Sequence, residues 1–323
     1  MKNKFLTYLY LGTILGCGGN IGIAPEKNPD GVDTSEETIE TDEPSIVDTD
    51  EEQEQEQEQE QEEEQEEEQD PESLEDFIYR GPLDVSTGTG ILSVTDCNMD
   101  FTVYSPSIEN PPVVILGHGF ARGPGTMTGW ADHLASWGVK VLLPTLCHYN
   151  ILAGVDHEKN GLNMVELGQA YGANEVIYAG HSAGGLAAII AGSLDNNNLG
   201  ILGLDATDTE GIPGVDDFIG QLYASGVTST AFSVRGEPSS CNSEGNGLDL
   251  FEMMPNSYKA KVDEADHCDF EFPTNFGCEI NCENSQASIS DEETRSLIVT
   301  FGTSAILSLA GISNDGWIIW AGR

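Results

Sequence analysis

One serine in this chain is placed where it could act as a nucleophile. Ser182 stands in Gly180-His181-Ser182-Ala183-Gly184, after the β-branched and aromatic run Val176-Ile177-Tyr178 and before a small-residue stretch from Gly185 to about Ala191. That order predicts a strand, a tight turn and a helix, with the serine hydroxyl presented on the turn. The glycines have a steric purpose, because a side chain at Gly180 or Gly184 would crowd a strained turn. At this glycine and serine content the pattern arises by chance roughly 0.3 times per chain, so it needs supporting residues. A serine hydroxyl needs a base to take its proton, and the base needs an orienting carboxylate. In known chains that present a serine on such a turn, acid and then histidine follow it, each on a loop after a sheet strand, and resemblance to them implies that order here.

Of the six histidines only His267 lies beyond Ser182. His118 belongs to a glycine loop, His133 to a helical stretch, His148 and His157 to loops, and His181 to the turn itself, in a packing role. His267 is therefore the expected base. Three residues compete as the acid. Asp205 closes the apolar run Ile201-Leu202-Gly203-Leu204, which points its carboxylate out at the carboxyl edge of a sheet. Glu237 follows the next strand and is the main alternative; Asp208 is third, and Asp269 lies too close to His267 along the chain. Topology favours Asp205. Charge developing on a carbonyl oxygen would need two amide donors, and Ala183 N–H at the helix start supplies one. The other is Phe120 N–H, just past Gly117-His118-Gly119, where glycine lets backbone approach a substrate.

These residues need a scaffold, and the hydrophobic pattern supplies one. Short strands are expected at Ile91–Thr95 and Asp100–Tyr104, then a fully apolar run at Val113–Leu116 and further strands at Val139–Leu143, Val176–Tyr178, Gly200–Leu204, Thr228–Val234 and Tyr258–Val262. Runs without polar alternation fit strands buried on both faces. Helical stretches at Gly129–Trp137 and Gly161–Tyr171, and an apolar one at Leu297–Ile312 read as a core helix, separate or follow them. Alternation at this spacing predicts an α/β fold: a mostly parallel, doubly wound sheet with helices on both faces and no large lid.

Residues 1–76 carry 26 of the 56 acidic side chains and 3 of the 12 basic ones. Glu51 to Gln69 contains only Glu and Gln, and like charges at nearly every position oppose collapse. Residues 18–76 are thus expected to be a disordered acidic tether, spanning on the order of 40 Å or more. Residues 77–323, about 247 in number, suffice for one catalytic domain. Such acidity argues against nucleic acid and anionic lipid surfaces as partners. Residues 1–17 have the proportions of an export signal, with Lys2 and Lys4 before an apolar stretch from Phe5 to Leu15. Ile14-Leu15-Gly16-Cys17 resembles a bacterial lipobox, which implies lipidation of Cys17; cleavage near Gly19 or Ala24 is the alternative. The expected location is outside the cytoplasm, lipid-anchored at the cell surface or the periplasmic face of a membrane.

From Val113 to Leu309 the chain resembles an α/β-hydrolase of the chlorophyllase, dienelactone hydrolase and polyester-hydrolase (cutinase-like) group. The residues that carry the resemblance are His118-Gly119-Phe120, Leu134-Ala135-Ser136-Trp137-Gly138, Gly180 to Gly185, Gly203-Leu204-Asp205 and Ala265-Asp266-His267-Cys268. It implies the α/β-hydrolase fold and carboxylic-ester hydrolysis through an acyl-enzyme, with no metal or organic cofactor. Gly203-Leu204-Asp205 is similar to the chlorophyllase acid position, whereas polyester hydrolases place the acid after the next strand, where Glu237 stands. Short acyl chains are favoured by the missing lid, with polymeric esters as a second class. Beyond Cys17 six cysteines remain, and in an exported chain they imply disulfides, with 15 pairings open. A bridge between Cys241 and Cys268 is similar to one in some polyester hydrolases; Cys278–Cys282 is then a local pair and Cys97–Cys147 the remainder. A zinc site at His267, Cys268, Cys278 and Cys282 is the rival use of these side chains. The rival reading of the whole is a non-catalytic surface module that binds a ligand or partner.

Overall fold

Apolar runs too short for helices, bounded by Gly or Pro, form the centre of one large sheet. A computed structural model describes residues 76–150, 154–171, 175–211, 215–274, 278, 282 and 291–323. All belong to the unit Glu68–Arg323. The expected export signal, Cys17 and the tether up to residue 75 lie outside the described residues.

The strands are β1 (Val85–Ser93), β2 (Asn98–Pro106), β3 (Val113–Gly117), β4 (Lys140–Pro144), β5 (Tyr149–Asn150), β6 (Gly154–Val155), β7 (Val176–His181), β8 (Gly200–Leu204), β9 (Ala231–Arg235) and β10 (Ser257–Lys261). Eight of them make a sheet of order β1-β2-β4-β3-β7-β8-β9-β10, and β5 pairs with β6 separately. Only β2 runs against its neighbours in the large sheet, so the expected mostly parallel α/β arrangement is present. The helices are α1 (Thr128–Ser136), α2 (His157–Tyr171), α3 (Ala183–Leu194), α4 (Ile219–Ala224), α5 (Gly247–Glu252), α6 (Asp291–Leu309) and α7 (Asp315–Trp320).

Because successive strand residues point to opposite faces, the central strands feed two cores. Val114, Leu116, Ile177, Leu202 and Phe232 pack with Trp130, Leu134, Ile298, Ile306 and Trp320 from α1, α6 and α7. Val113, Ile115, Tyr178, Ile201 and Ala231 pack with Met164, Leu167, Leu186, Ile190 and Phe251 from α2, α3 and α5. Helices thus cover both faces, and burial on both explains the unbroken apolar strands. The apolar stretch from Leu297 lies largely in α6, a core helix as expected. Among the described residues no helix is long and apolar enough to cross a membrane.

Several boundaries differ from the sequence expectation: α6 begins at Asp291 rather than Leu297, β9 at Ala231 rather than Thr228, and two more cases have a visible cause. β1 begins at Val85 rather than Ile91, because this edge strand pairs with β2 along its length through Ser86-Thr87-Gly88-Thr89-Gly90 and needs no apolar alternation. Gly90 pairs with Phe101, whose ring occupies the space a Cβ at 90 would take, 2.3 Å from Cζ. Helix α2 begins at His157 rather than Gly161, since Asp156 Oδ1 accepts the Lys159 N–H at 3.0 Å and caps the first turn. Helices α4, α5 and α7 have no counterpart in the sequence reading; each is six residues long.

Candidate functional site

Each expected site residue stands at or beyond the carboxyl end of a parallel strand, the edge where open α/β sheets place their ligands. Ser182 joins β7 to α3 with φ 56° and ψ −125°, a conformation L residues avoid. It is held by its own N–H on Leu204 O at 3.0 Å, while its carbonyl accepts from Leu186 N at 3.2 Å and Thr207 N at 3.3 Å. The flanking glycines are required at these positions: a Cβ at Gly180 would sit 2.3 Å from Gly184 C, and one at Gly184 2.5 Å from Gly117 C. Strand β7, the turn and the start of α3 therefore close on one another without side chains between them.

Asp205 ends β8 with φ 43°, and its carboxylate takes three donors. Gly236 N donates to Oδ1 at 3.1 Å; Asn242 Nδ2 at 3.1 Å and His267 Nδ1 at 2.6 Å donate to Oδ2. Both partners of the Asp205–His267 pair are buried. A carboxylate only accepts, so His267 carries its proton on Nδ1 and leaves an Nε2 lone pair available to a hydroxyl. The loop bearing His267 is capped by Asp266, whose Oδ1 accepts from Cys268 N at 2.7 Å and Asp269 N at 3.2 Å. Asp269 Oδ2 in turn accepts from Asp266 N at 2.9 Å, so Asp269 shapes the turn.

The other two acid candidates are engaged elsewhere. Glu237 Oε1 accepts from Lys261 Nζ at 2.7 Å and Glu264 N at 3.2 Å. Asp208 Oδ1 accepts from Thr209 N and Gly220 N, each at 2.8 Å, and so secures the start of α4.

Two further histidines build the walls. His118 is fully buried, donates from Nδ1 to Gly119 O at 3.0 Å and accepts from Leu146 N at Nε2, 3.2 Å away. Burial pushes its pKa down to about 4, so it stays neutral and fixes the glycine loop. His181 donates from Nε2 to the His267 carbonyl at 2.9 Å, a positioning contact within the packing role expected of it. Burial, with His267 adding to it, holds His181 well below the ordinary histidine range. At Phe120 and Ala183 no acceptor for either amide N–H occurs among the described residues, as a pair of oxyanion donors requires. Phe120, Ser182, His181 and His267 share a cavity of about 340 Å³ with Arg122, Glu271 and three half-cystines.

Disulfides form the remaining wall, and two of them differ from the expected pairs. Cys97–Cys147 is present, with Cα atoms 6.5 Å apart. Cys241 joins Cys282 rather than Cys268, and Cys268 joins Cys278 rather than Cys278 joining Cys282, at Cα separations of 5.6 and 5.8 Å. The sulfurs of Cys268, Cys278 and Cys282 lie within 4.8 Å of one another, so the pairing turns on backbone placement that sequence spacing does not carry. The rival zinc set has no free thiolate here, and its histidine is turned to Asp205.

Three residues around the site escaped the sequence reading. Asn242 locks Asp205 while its Oδ1 accepts from Ser239 N at 2.8 Å and Gly245 N at 3.0 Å. Arg122 and Glu271 form an ion pair at the cavity edge. Asn242 belongs to no motif, but Arg122 carries one of only 12 basic side chains in the protein and lies two residues past Phe120, a signal in plain sight. No protein-family model and no curated protein matches this chain.

Proposed function

We propose that this chain is an α/β-hydrolase that cleaves carboxylic esters through an acyl-enzyme on Ser182. The observation that carries the reading is the buried 2.6 Å bond from Asp205 to Nδ1 of His267, a residue that lines one cavity with the strained Ser182. As His267 Nε2 takes the hydroxyl proton, Ser182 Oγ attacks the ester carbonyl, and Asp205 stabilises the imidazolium that forms. The carbonyl oxygen gains negative charge facing the Phe120 and Ala183 amides, which need not reorganise to receive it. Collapse of the tetrahedral adduct breaks the ester C–O bond, and His267 returns the proton to the departing alcohol. Water then attacks the acyl-enzyme by the same route and releases the acid and Ser182. The cavity of about 340 Å³ suits a short acyl group.

Three disulfides support an oxidising location, in line with export, while lipid anchoring through Cys17 rests on the sequence of residues 14–17. The direct test is a fluorophosphonate probe. It should label the purified protein at Ser182, fail on Ser182→Ala, and abolish p-nitrophenyl acetate turnover. An unlabelled, inactive wild type would leave a ligand-binding module as the surviving reading.

A further inference from the structure

The Arg122–Glu271 pair stands outside the serine–histidine–aspartate relay, yet it joins two loops that line one cavity with Ser182. Arg122 closes the turn that carries Phe120, its N–H bonding to Gly119 O at 3.2 Å. Within that turn Ala121 has φ 54°, a left-handed conformation that an L residue keeps only where its surroundings impose it. Glu271 directly follows the short turn His267–Phe270, and its N–H bonds back to Cys268 O at 3.1 Å. Its carboxylate is fully buried and takes Arg122 Nε on one oxygen and Nη2 on the other, both at 2.6 Å. Thr274 Oγ1 adds a donor at 3.3 Å.

A two-pronged guanidinium–carboxylate pair fixes orientation as well as distance. We propose that the Arg122–Glu271 pair is a positioning clamp, setting the Phe120 amide against His267 so that oxyanion donor and base address one substrate carbonyl. The inference rests on the ester-hydrolase reading above. Other bonds attach the loop beyond His267 to α1 and the segment just before it: Phe272 N to Thr126 O at 2.8 Å, Gly129 N to Phe272 O at 2.6 Å and Trp130 Nε1 to Phe270 O at 2.9 Å. None of these reaches the Phe120 turn, which Ala121 N–H also ties to Tyr149 O at 2.6 Å; among the described residues it is Arg122 that joins this turn to the segment after His267. They also keep the two segments joined when the pair is altered. A buried ion pair is a poor source of net stability against an apolar replacement, so alignment is the better account of its place here. Two of the Arg122 nitrogens and its charge are met by Glu271, which argues against a role in holding a substrate anion.

Arg122→Lys keeps the charge and removes the fork, while the double variant Arg122→Gln/Glu271→Gln keeps a neutral hydrogen-bonding pair. Both are measured for thermal midpoint, kcat and KM on p-nitrophenyl acetate, and fluorophosphonate labelling rate. The expected result is kcat and labelling rate down about tenfold or more, KM within about twofold, and little change in midpoint, because alignment acts in the transition state. If Arg122→Lys does not fold, the double variant is read by the same criteria. Unchanged kcat in a folded variant overturns the clamp, as does a raised KM with intact kcat, which would make Arg122 a substrate-binding cation. A wild type that is neither labelled nor active rejects the ester-hydrolase reading itself, an outcome separate from either of these.

Discussion

Asp205→Asn tests the site at its most constrained point. The carboxylate accepts from Gly236 N, Asn242 Nδ2 and His267 Nδ1, and an amide has only one acceptor oxygen to offer in place of two. If that oxygen keeps the Asn242 and His267 bonds, the new NH2 opposes the Gly236 N–H. His267 then loses the negative charge that stabilises its imidazolium, and a charged hydrogen bond of about 1.5–3 kcal/mol becomes a neutral one. If the amide turns round, its NH2 faces His267, which must accept at Nδ1 and carry its proton on Nε2. The base is then absent in the resting state, a change worth about 10⁴ in kcat, or roughly 5.4 kcal/mol. The first arrangement costs about 10² and the second about 10⁴ in kcat. The measurement is kcat for p-nitrophenyl acetate, with Glu237→Gln as the matched control. Glu237 is held by Lys261 and Glu264 N, so its replacement should leave kcat within about twofold. Retention of more than about a tenth of kcat in Asp205→Asn, or its abolition in Glu237→Gln, would refute the assignment.

His157 is buried with Nδ1 unpartnered, and burial lowers its pKa to about 4. Its neutral form supports the fold fully above pH 6.5, and this contribution is lost as pH falls towards the folded value. A His157→Phe variant should therefore gain on the wild type by about 1.4 kcal/mol per pH unit between 6.5 and 4, read from denaturant midpoints; a pH-independent difference would contradict the burial argument. Non-reducing peptide maps should give Cys97–Cys147, Cys241–Cys282 and Cys268–Cys278, and any map joining Cys241 to Cys268 would refute the arrangement. Replacing Cys268 and Cys278 by alanine should lower kcat more than replacing Cys97 and Cys147, because Cys268 follows the candidate base directly; equal effects would remove the link to the site. Gly184→Ala puts a Cβ 2.5 Å from Gly117 C and should destabilise the domain by about 1–3 kcal/mol or more in denaturant titration, and an unchanged midpoint would show that the contact can relax.

Much of the candidate site was legible along the chain because several of its members carry a local signature. Gly180 and Gly184 mark a turn that no larger residue fits, and Gly203-Leu204-Asp205 marks a strand end. His267 was reached by elimination, once the serine–acid–histidine order that the resemblance implies is taken. The sheet was legible for a similar reason: strands buried on both faces must be apolar, and β3, β8 and β7 up to Gly180 are. The polar edge strand β1 and the short helices were not, since their conformation comes from pairing and packing rather than from an internal pattern.

What the sequence by itself determined is therefore an α/β chain with one serine turn, one downstream histidine and a short list of acids. The contacts among them come only with the tertiary structure. It brought Asp205 to His267 and turned Glu237 to Lys261, it paired Cys241 with Cys282, and it set Arg122 against Glu271 across 149 positions of sequence. The physical reason is the same throughout. Residue type and covalent spacing govern local conformation, whereas these choices depend on distances between loops that leave different strands, and those distances exist only once the sheet has closed on its two cores.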